Sequence, residues 1–378
     1  MGQTERVFAG AMSGTSADGV DIAVVGISGG GVELSVRILR HHHMPYGSEL
    51  RRRIFALRQS GVSTLEDLAM IGREISLAYA HGLLEAFTAA QVHRSQVTAI
   101  GAHGQTLLHA PPNTLQWLDP ALIAAETGVP VVSDFRRADC AAGGQGAPLV
   151  PYADYALFRH PLSLRALVNL GGIANVTVLR PACALGDVVA FDTGPGNCIS
   201  DFLCRKHDPN GIGFDRNGQM ATVGLPDLPT AQRMLAEPFF AAPPPKSTDV
   251  PQMIAAWEKA YTLTDPRPLP DLLATACYIT ASAILDALYR LLGRLPDELI
   301  VSGGGCRNQS ILGFLRATPG MVVRSSDEYG LPAEAKEAVA FAILAAAHVD
   351  GIPANIPSVT GARRSVVLGS LTPRPSPA

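Results

Sequence analysis

The sequence predicts an α/β protein of two lobes built by duplication, with ligand-binding loops at the strand ends of both. Three observations carry that expectation. An apolar run at residues 7–12, a polar Gly-rich tip at 13–19 and a second apolar run at 20–25 read as a β-hairpin, and the pattern returns about 160 residues later. Segments of helical and of strand periodicity alternate between and after the two hairpins. A chain of 378 residues with 47% apolar and 17% charged residues can bury a large core in about two or three domains, which excludes disorder as its main state.

Taken in order, residues 7–12 and 20–25 form the first hairpin, and residues 65–89 have the apolar spacing of an amphipathic helix. Residues 97–102 are a short strand ending at His103-Gly104-Gln105-Thr106, and residues 129–133, with Pro130, are another. Residues 165–170 and 176–179 flank the tip of the second hairpin, and the apolar residues 188–191 form a buried strand. The Pro-rich stretch 238–251 reads as a surface excursion. A long helix at 272–292, a buried strand at 298–302, a helix at about 333–349 and a surface tail after Leu371 complete the chain. The expected division is a first lobe of residues 1–130, completed by 345–378, and a second lobe of 131–344.

Charge and cysteine usage narrow the function classes. With 30 Lys+Arg against 33 Asp+Glu the net charge is −3, which argues against a nucleic-acid partner. No uncharged apolar run reaches the roughly 18 residues that span a bilayer, and the start lacks the layout of a signal peptide, so a cytoplasmic protein without membrane attachment is expected. The 6 cysteines are scattered without a Cys-x-x-Cys pair, which disfavours zinc and disulfide frameworks. His41-His42-His43, just before Pro45, reads as a solvated loop rather than a metal site.

The chemistry gathers in polar Gly clusters at strand ends. A tip such as Gly14-Thr15-Ser16 offers backbone N–H groups and hydroxyls to phosphate oxygens, although a ligand-free tight turn explains one such loop better. It is not a P-loop, because no Gly-Lys-[Ser/Thr] follows and the next element is a strand. Counted together, the clusters at 12–21, 170–175 with Gly171 and Gly172, 192–197 with Gly194, and 303–308 with Gly303, Gly304, Gly305 and Asn308 predict a nucleotide site in a crevice between lobes. The last loop would lie against the purine and ribose. Asp192, at the mouth of a buried strand, is placed to accept a proton from a nucleophile, with an Asx-turn as the alternative. Asp18 or Asp21 is a candidate holder of hydrated Mg²⁺, with a turn role as the alternative for each. His103 reads as a crevice-facing or structural histidine. Arg136 and Arg137, near Gln145 in the 141–148 loop, offer donors to a ligand or form an ion pair with Asp139.

These residues together resemble the anhydro-N-acetylmuramic acid kinase family. The match comprises Met12-Ser13-Gly14-Thr15-Ser16 with Asp18-Gly19 and Asp21, His103-Gly104-Gln105-Thr106, residues 135–151, Asn169 to Asn175, Phe191 to Asn197 and Gly303 to Asn308. It runs over about residues 7–371. The 136–151 block and Asp-Thr-Gly-Pro-Gly-Asn are specific to that family, while the hairpin and triple-Gly patterns occur across sugar kinases, actin and heat-shock ATPases. The resemblance implies an actin-like ATPase (ribonuclease H-like) fold with a nucleotide cleft between the lobes that closes. It implies a kinase that opens 1,6-anhydro-N-acetylmuramic acid with water and phosphorylates O6 from ATP, in peptidoglycan recycling, as a homodimer. On the same terms Gly14, Thr15, Ser16, Ala17, Asp18, Gly19, Val20 and Asp21 would bind ATP phosphates with Mg²⁺. Asn169, Gly171, Gly172 and the 303–308 loop would complete the nucleotide site. Asp192 would be the base, and His103, Gln105, Arg136, Gln145, Gly194 and Glu337 would face the sugar.

Two departures from the family pattern stand out. Trp117-Leu118-Asp119 replaces a Gly-containing turn, and Asp249-Val250-Pro251 replaces Gly-Arg-Glu after Lys246-Ser247-Thr248. Both bear on the sugar rather than on ATP. The competing readings are a kinase for another 1,6-anhydrosugar such as levoglucosan, and a nucleotide-dependent binding protein without catalysis.

Overall fold

The computed structural model describes residues 4–262 and 267–375. Two compact units divide the chain: Met1–Phe158 with Ala335–Ala378, and Arg159–Glu334. Each holds its own sheet and core.

In the first unit β1 (Arg6–Ser13), β2 (Gly19–Gly30) and β3 (Glu33–Pro45) form an antiparallel meander. β4 (Val97–Ala110) returns parallel to β1 after the Leu65–Ala89 helix, β5 (Asn113–Trp117) folds back on β4, and β6 (Val131–Ser133) lies parallel to β4. The second unit repeats this plan. β7 (Arg165–Leu170), β8 (Ile173–Leu179) and β9 (Val189–Pro195) form a meander. β10 (Glu298–Ser302) then runs parallel to β7, and β11 (Val322–Ser325) parallel to β10. The sheet orders β6-β4-β1-β2-β3 and β11-β10-β7-β8-β9 are therefore the same topology twice. The duplication expected from the hairpins is present in the backbone itself. β12 (Ser370–Thr372) adds to β6 at the margin of the first sheet.

The unit boundaries fall at Phe158/Arg159 and Glu334/Ala335, not at 130/131 and 344/345. β6 belongs to the first sheet, and the segment after it, through Phe158, stays with that sheet. The whole Lys336–Val349 helix lies against the same sheet so closely that a Cβ on Gly10 would sit 1.8 Å from the Ala338 carbonyl, and one on Gly101 2.2 Å from that of Phe341. A helix this close to its sheet cannot be split between units.

Three other expectations change. His41-His42-His43 lies in β3, where His41 and His43 share a face, rather than in a loop. β4 runs through His103 and Gln105 to Ala110 instead of ending before them. The 238–251 stretch is no simple excursion. Phe240 is buried, and residues 241–248 alternate between exposed and half-buried as an extended strap laid on the unit. The Leu269–Leu292 helix is long and apolar enough to cross a bilayer, but 67% of its most apolar window is buried in the protein. It is the core helix of the second unit, with Leu273, Ile279, Ile284 and Leu288 inside.

Candidate active site

In the first unit the β1–β2 tip spans Gly14 to Asp18. Ala17 closes a turn by donating its N–H to the Gly14 carbonyl (3.2 Å), at a positive φ of 46° that a residue with a Cβ seldom adopts. Ala17 and Val20 are both fully buried. Thr15, Ser16 and Asp18 are exposed, and the Ser16 hydroxyl donates to Asp18 (2.9 Å). Side chains from elsewhere in the unit hold the tip. Ser13 Oγ lies 2.7 Å from both the Gly19 carbonyl and Gln105 Oε1, Gln105 Nε2 donates to the Gly14 carbonyl (3.0 Å), and Arg58 donates to the Thr15 carbonyl (2.5 Å). Gln105, expected at the sugar, thus spends both ends of its amide on the β1–β2 turn, at Ser13 and Gly14. Asp21 lies on β2 beside His43 Nδ1 (2.9 Å) and His41 Nε2 (3.5 Å).

Also in the first unit, His103 is buried and stacks on Phe341, with centroids 4.7 Å apart. Arg136 Nε donates to His103 Nε2 (3.0 Å), so that nitrogen carries the lone pair and Nδ1–H donates to the Gly104 carbonyl (2.9 Å). Burial, helped by the Arg136 cation, holds His103 well below the usual histidine range, and the ring is neutral. Burial lowers Arg136 to about 10, opposed mainly by Glu337, and the guanidinium stays charged at neutral pH. Glu337, at the start of the Lys336–Val349 helix, is raised by burial against the pull of Lys336 and Arg136. Lys336 itself pairs with buried Asp154 (2.9 Å). The Arg136–Asp139 ion pair weighed from sequence is not the contact Asp139 makes. Its carboxylate, fully buried, accepts from Asn355 Nδ2, Thr360 Oγ1 and the Gly146 N–H, each at 2.7 Å. It thereby shapes the 141–148 loop, from which the Gln145 side chain points to solvent. Arg137 pairs with Asp134 instead (3.4 Å).

In the second unit the β7–β8 tip is only Gly171-Gly172. Main chain holds most of it: Gly196 N–H and Cys198 N–H donate to the Gly172 carbonyl (2.9 and 3.1 Å) and Asn197 N–H to that of Gly171 (2.8 Å), joined by Asn197 Nδ2, which donates to the Gly171 and Leu170 carbonyls (3.1 and 3.2 Å). Asn169 sits at the end of β7, and Gly303, at φ 80°, passes so close that a Cβ would lie 2.4 Å from Asn169 Oδ1. Gly304 next to it meets nothing within 4 Å, which leaves an open face without a side chain. Asn308 caps the Gln309–Arg316 helix by accepting from Ser310 N–H and Ile311 N–H (3.0 and 3.1 Å). Beside this loop opens a cavity of about 640 Å³, lined among others by Asn217, Cys306, Arg307, Gln309 and Asp327. The size suits a nucleoside.

Asp192 lies on β9, the outer strand of this sheet, one residue before a bulge that places Asp192 opposite Asn175 and Gly194 opposite Ala174. A bulge bends its strand and re-aims the neighbouring side chain. Gly194, at φ 142°, has no room for a Cβ beneath Phe240. Asp192 makes no Asx-turn. Its N–H donates to the Lys246 carbonyl (3.1 Å), and its Oδ2 accepts the Thr248 N–H (2.9 Å), both from the strap. Burial raises its carboxyl to about 6, only partly opposed by the Thr248 N–H. Such a carboxylate is ionised near neutrality yet basic enough to take a proton. The strap was invisible as a partner because its Pro-rich composition reads as loop. Arg58 was likewise missed, being one of several arginines in a charged run, while Ser13 was seen only as part of the polar tip and Asp139 only as an ion-pair partner.

Both departures from the family pattern have local causes here. Trp117 packs its indole against Gly72, where a Cβ would lie 2.4 Å from Nε1, and donates to the Leu68 carbonyl (2.8 Å). Asp119 caps a helix that begins with Pro120, and Asp249 caps one that begins with Val250-Pro251.

A family model described as Anhydro-N-acetylmuramic acid kinase matches residues 6–374. Relatives of that name include a protein of Gloeobacter violaceus at 41% identity, over 96% of this chain and 98% of its own. Others are from Bordetella petrii, at 42% over 97% and 96%, and Pasteurella multocida, at 38% over 99% and 98%. Among solved structures, the activator of the 2-hydroxyisocaproyl-CoA dehydratase from Clostridium difficile with bound ADPNP is similar at 12% identity over 91% of this chain and 96% of that chain. Its TM-score is 0.45, so the fold assignment rests on the two sheet orders.

Proposed function

The chain belongs to the anhydro-N-acetylmuramic acid kinase family, and from that membership we infer that it opens 1,6-anhydro-N-acetylmuramic acid with water and phosphorylates O6 from ATP, giving N-acetylmuramic acid 6-phosphate. The match across residues 6–374 carries the reading.

The residues support a sequence of steps. Asp192 takes a proton from water as its oxygen attacks C1 of the sugar, and the strained C1–O6 bond breaks. O6 carries the freed electron pair to the γ-phosphorus, ADP leaves, and Asp192 returns its proton to solvent. Positioning and charge stabilisation do most of the catalysis in such a transfer. The proposed phosphate-binding groups of the first unit are Thr15, Ser16 and the tip amides; the nucleotide-binding groups proposed for the second are Gly171-Gly172 and the 303–308 loop. The cavity beside Cys306 and Arg307 suits the adenosine. Arg136 and Glu337 are the proposed sugar contacts, with neutral His103 fixing the Arg136 fork and Asp139 shaping the loop that carries Gln145.

A bound Mg²⁺ neutralises phosphate charge and takes hard oxygen donors. The exposed Asp18 carboxylate fits that need better than Asp21, which already faces two histidines. A cytoplasmic location and a homodimer are part of the same proposal, carried by family membership.

The test is ADP release by the pure protein with ATP and Mg²⁺, with 1,6-anhydro-N-acetylmuramic acid, levoglucosan or no sugar. Turnover that requires the muramic sugar is expected. Turnover on levoglucosan alone moves the substrate, and silence in all arms overturns the kinase reading.

A further inference from the structure

We infer that Lys246 is a positioning residue for the proposed base: it clamps the 241–249 strap onto the outer edge of β9 so that the Thr248 amide meets the Asp192 carboxylate. The inference rests on the reading of Asp192 as the base. Lys246 reaches in three directions at once. Its Nζ donates to the carbonyls of Phe239 (3.0 Å) and Phe240 (3.2 Å), which fixes the start of the strap. The same ammonium sits 4.7 Å from the Phe239 ring centroid and 5.9 Å from that of Phe191, the residue before Asp192. Its own carbonyl accepts the Asp192 N–H, and two residues later the Thr248 N–H reaches Oδ2.

No carboxylate lies within ion-pair distance of this half-buried ammonium among the described residues. Two carbonyls and two ring faces take the place of a counter-ion, an arrangement that fixes geometry rather than charge. Because β9 is an outer strand, the Asp192 N–H has no strand partner on that side, and the strap supplies one. The charged groups around are Asp286 and Arg290 of the Leu269–Leu292 helix, which act on Lys246 in opposite senses, and none of the three moves Asp192. The shift of Asp192 comes from burial, to which the strap touching its carboxylate through Thr248 contributes. Lifting the strap therefore lets its carboxyl fall toward the ordinary range, even though the Thr248 N–H is lost as well.

The experiment compares Lys246→Met, Lys246→Arg and Lys246→Gln with the parent by kcat, KM for ATP and the acid limb of the kcat–pH profile. Asp201 is also raised to about 6 by burial, so the series is run in an Asp201→Asn background. Lys246→Met is expected to lower kcat by about 10- to 100-fold, as a misplacement near 1 Å does. KM for ATP should stay within about twofold, and the acid limb should move down from about pH 6. Lys246→Arg, which reaches the same carbonyls and rings, should restore both. If Met does not fold, Gln losing both readouts while Arg keeps them supports the clamp. Parental kcat and limb in Met or Gln overturn it, and so does a fall in kcat with the limb unmoved, which marks general damage. Asp192→Asn separates the failures: turnover retained there sinks the base itself, whereas turnover lost there with a parental Lys246→Met sinks only the clamp.

Discussion

The two meanders have one topology and opposite treatments of its ends. In the first, the tip is long, exposed and rich in hydroxyls, and distant side chains hold it: Gln105 from β4, and Arg58 from the Ser48–Ser60 helix. In the second, the tip is two glycines fastened mainly by the main chain of residues 196–198, with the adjacent Asn197 side chain as its one side-chain donor among the described residues. The outer strands differ in the same sense. β3 stays exposed or half-exposed along its length and carries the histidines, while β9 lies under a strap that buries its aspartate. The two backbones share one plan, and their contacts differ with the segments that pack on each. A buried acid with a raised pKa needed a cover, and only one edge received it.

The sharpest way to break this comparison is at the covered acid. Asp192→Asn keeps the shape and the Thr248 hydrogen bond but removes the proposed base, and turnover should fall by about 10²- to 10⁴-fold with ATP affinity kept. Near-parental turnover would leave β9 no more catalytic than β3. The main-chain fastening comes next. A Cβ on Gly196 would sit 2.2 Å from the Gly171 carbonyl, with no flexible side chain to yield. Gly196→Ala should cost about 1–3 kcal/mol or more by chemical denaturation and raise KM for ATP, because the second tip must move.

Legibility in the sequence divides along the same line. Both hairpins showed as apolar runs around Gly-rich tips, and the Leu65–Ala89 helix showed in full because a Thr64 cap opens a long stretch of regular spacing. The base candidate was legible from its place after a buried strand. β3 was not: Leu34, Val36 and Ile38 alternate with Glu33, Ser35 and Arg37, but a bulge at Leu39 breaks the period and His41-His42-His43 carries no apolar signal beyond it. Nor were the unit boundaries, which depend on Gly10 and Gly101 meeting the Lys336–Val349 helix far along the chain. The strap was hidden by composition. Prolines that bar a regular strand do not bar an extended segment from giving its Lys246 carbonyl and Thr248 amide to an edge.

The first tip allows two smaller tests. Gln105→Leu leaves Ser13 one acceptor and takes a donor from the Gly14 carbonyl, which keeps only the Ala17 N–H. It should cost about 1–3 kcal/mol and raise KM for ATP without moving the acid limb of kcat, since Asp192 belongs to the other unit. A shift of that limb would show that the two units do not divide the chemistry as their packing divides the chain. Gly14→Ala should do least. Its φ is not positive, and an added Cβ meets only the Ser16 hydroxyl at 3.6 Å. Restricting the unfolded chain offers a small gain, so stability should change by no more than about 0.5 kcal/mol in either direction. If instead Gly14→Ala costs as much as Gly196→Ala, the first tip is as tightly fastened as the second. The contrast between a tip held by side chains and one held by main chain would then fail at its most exposed point.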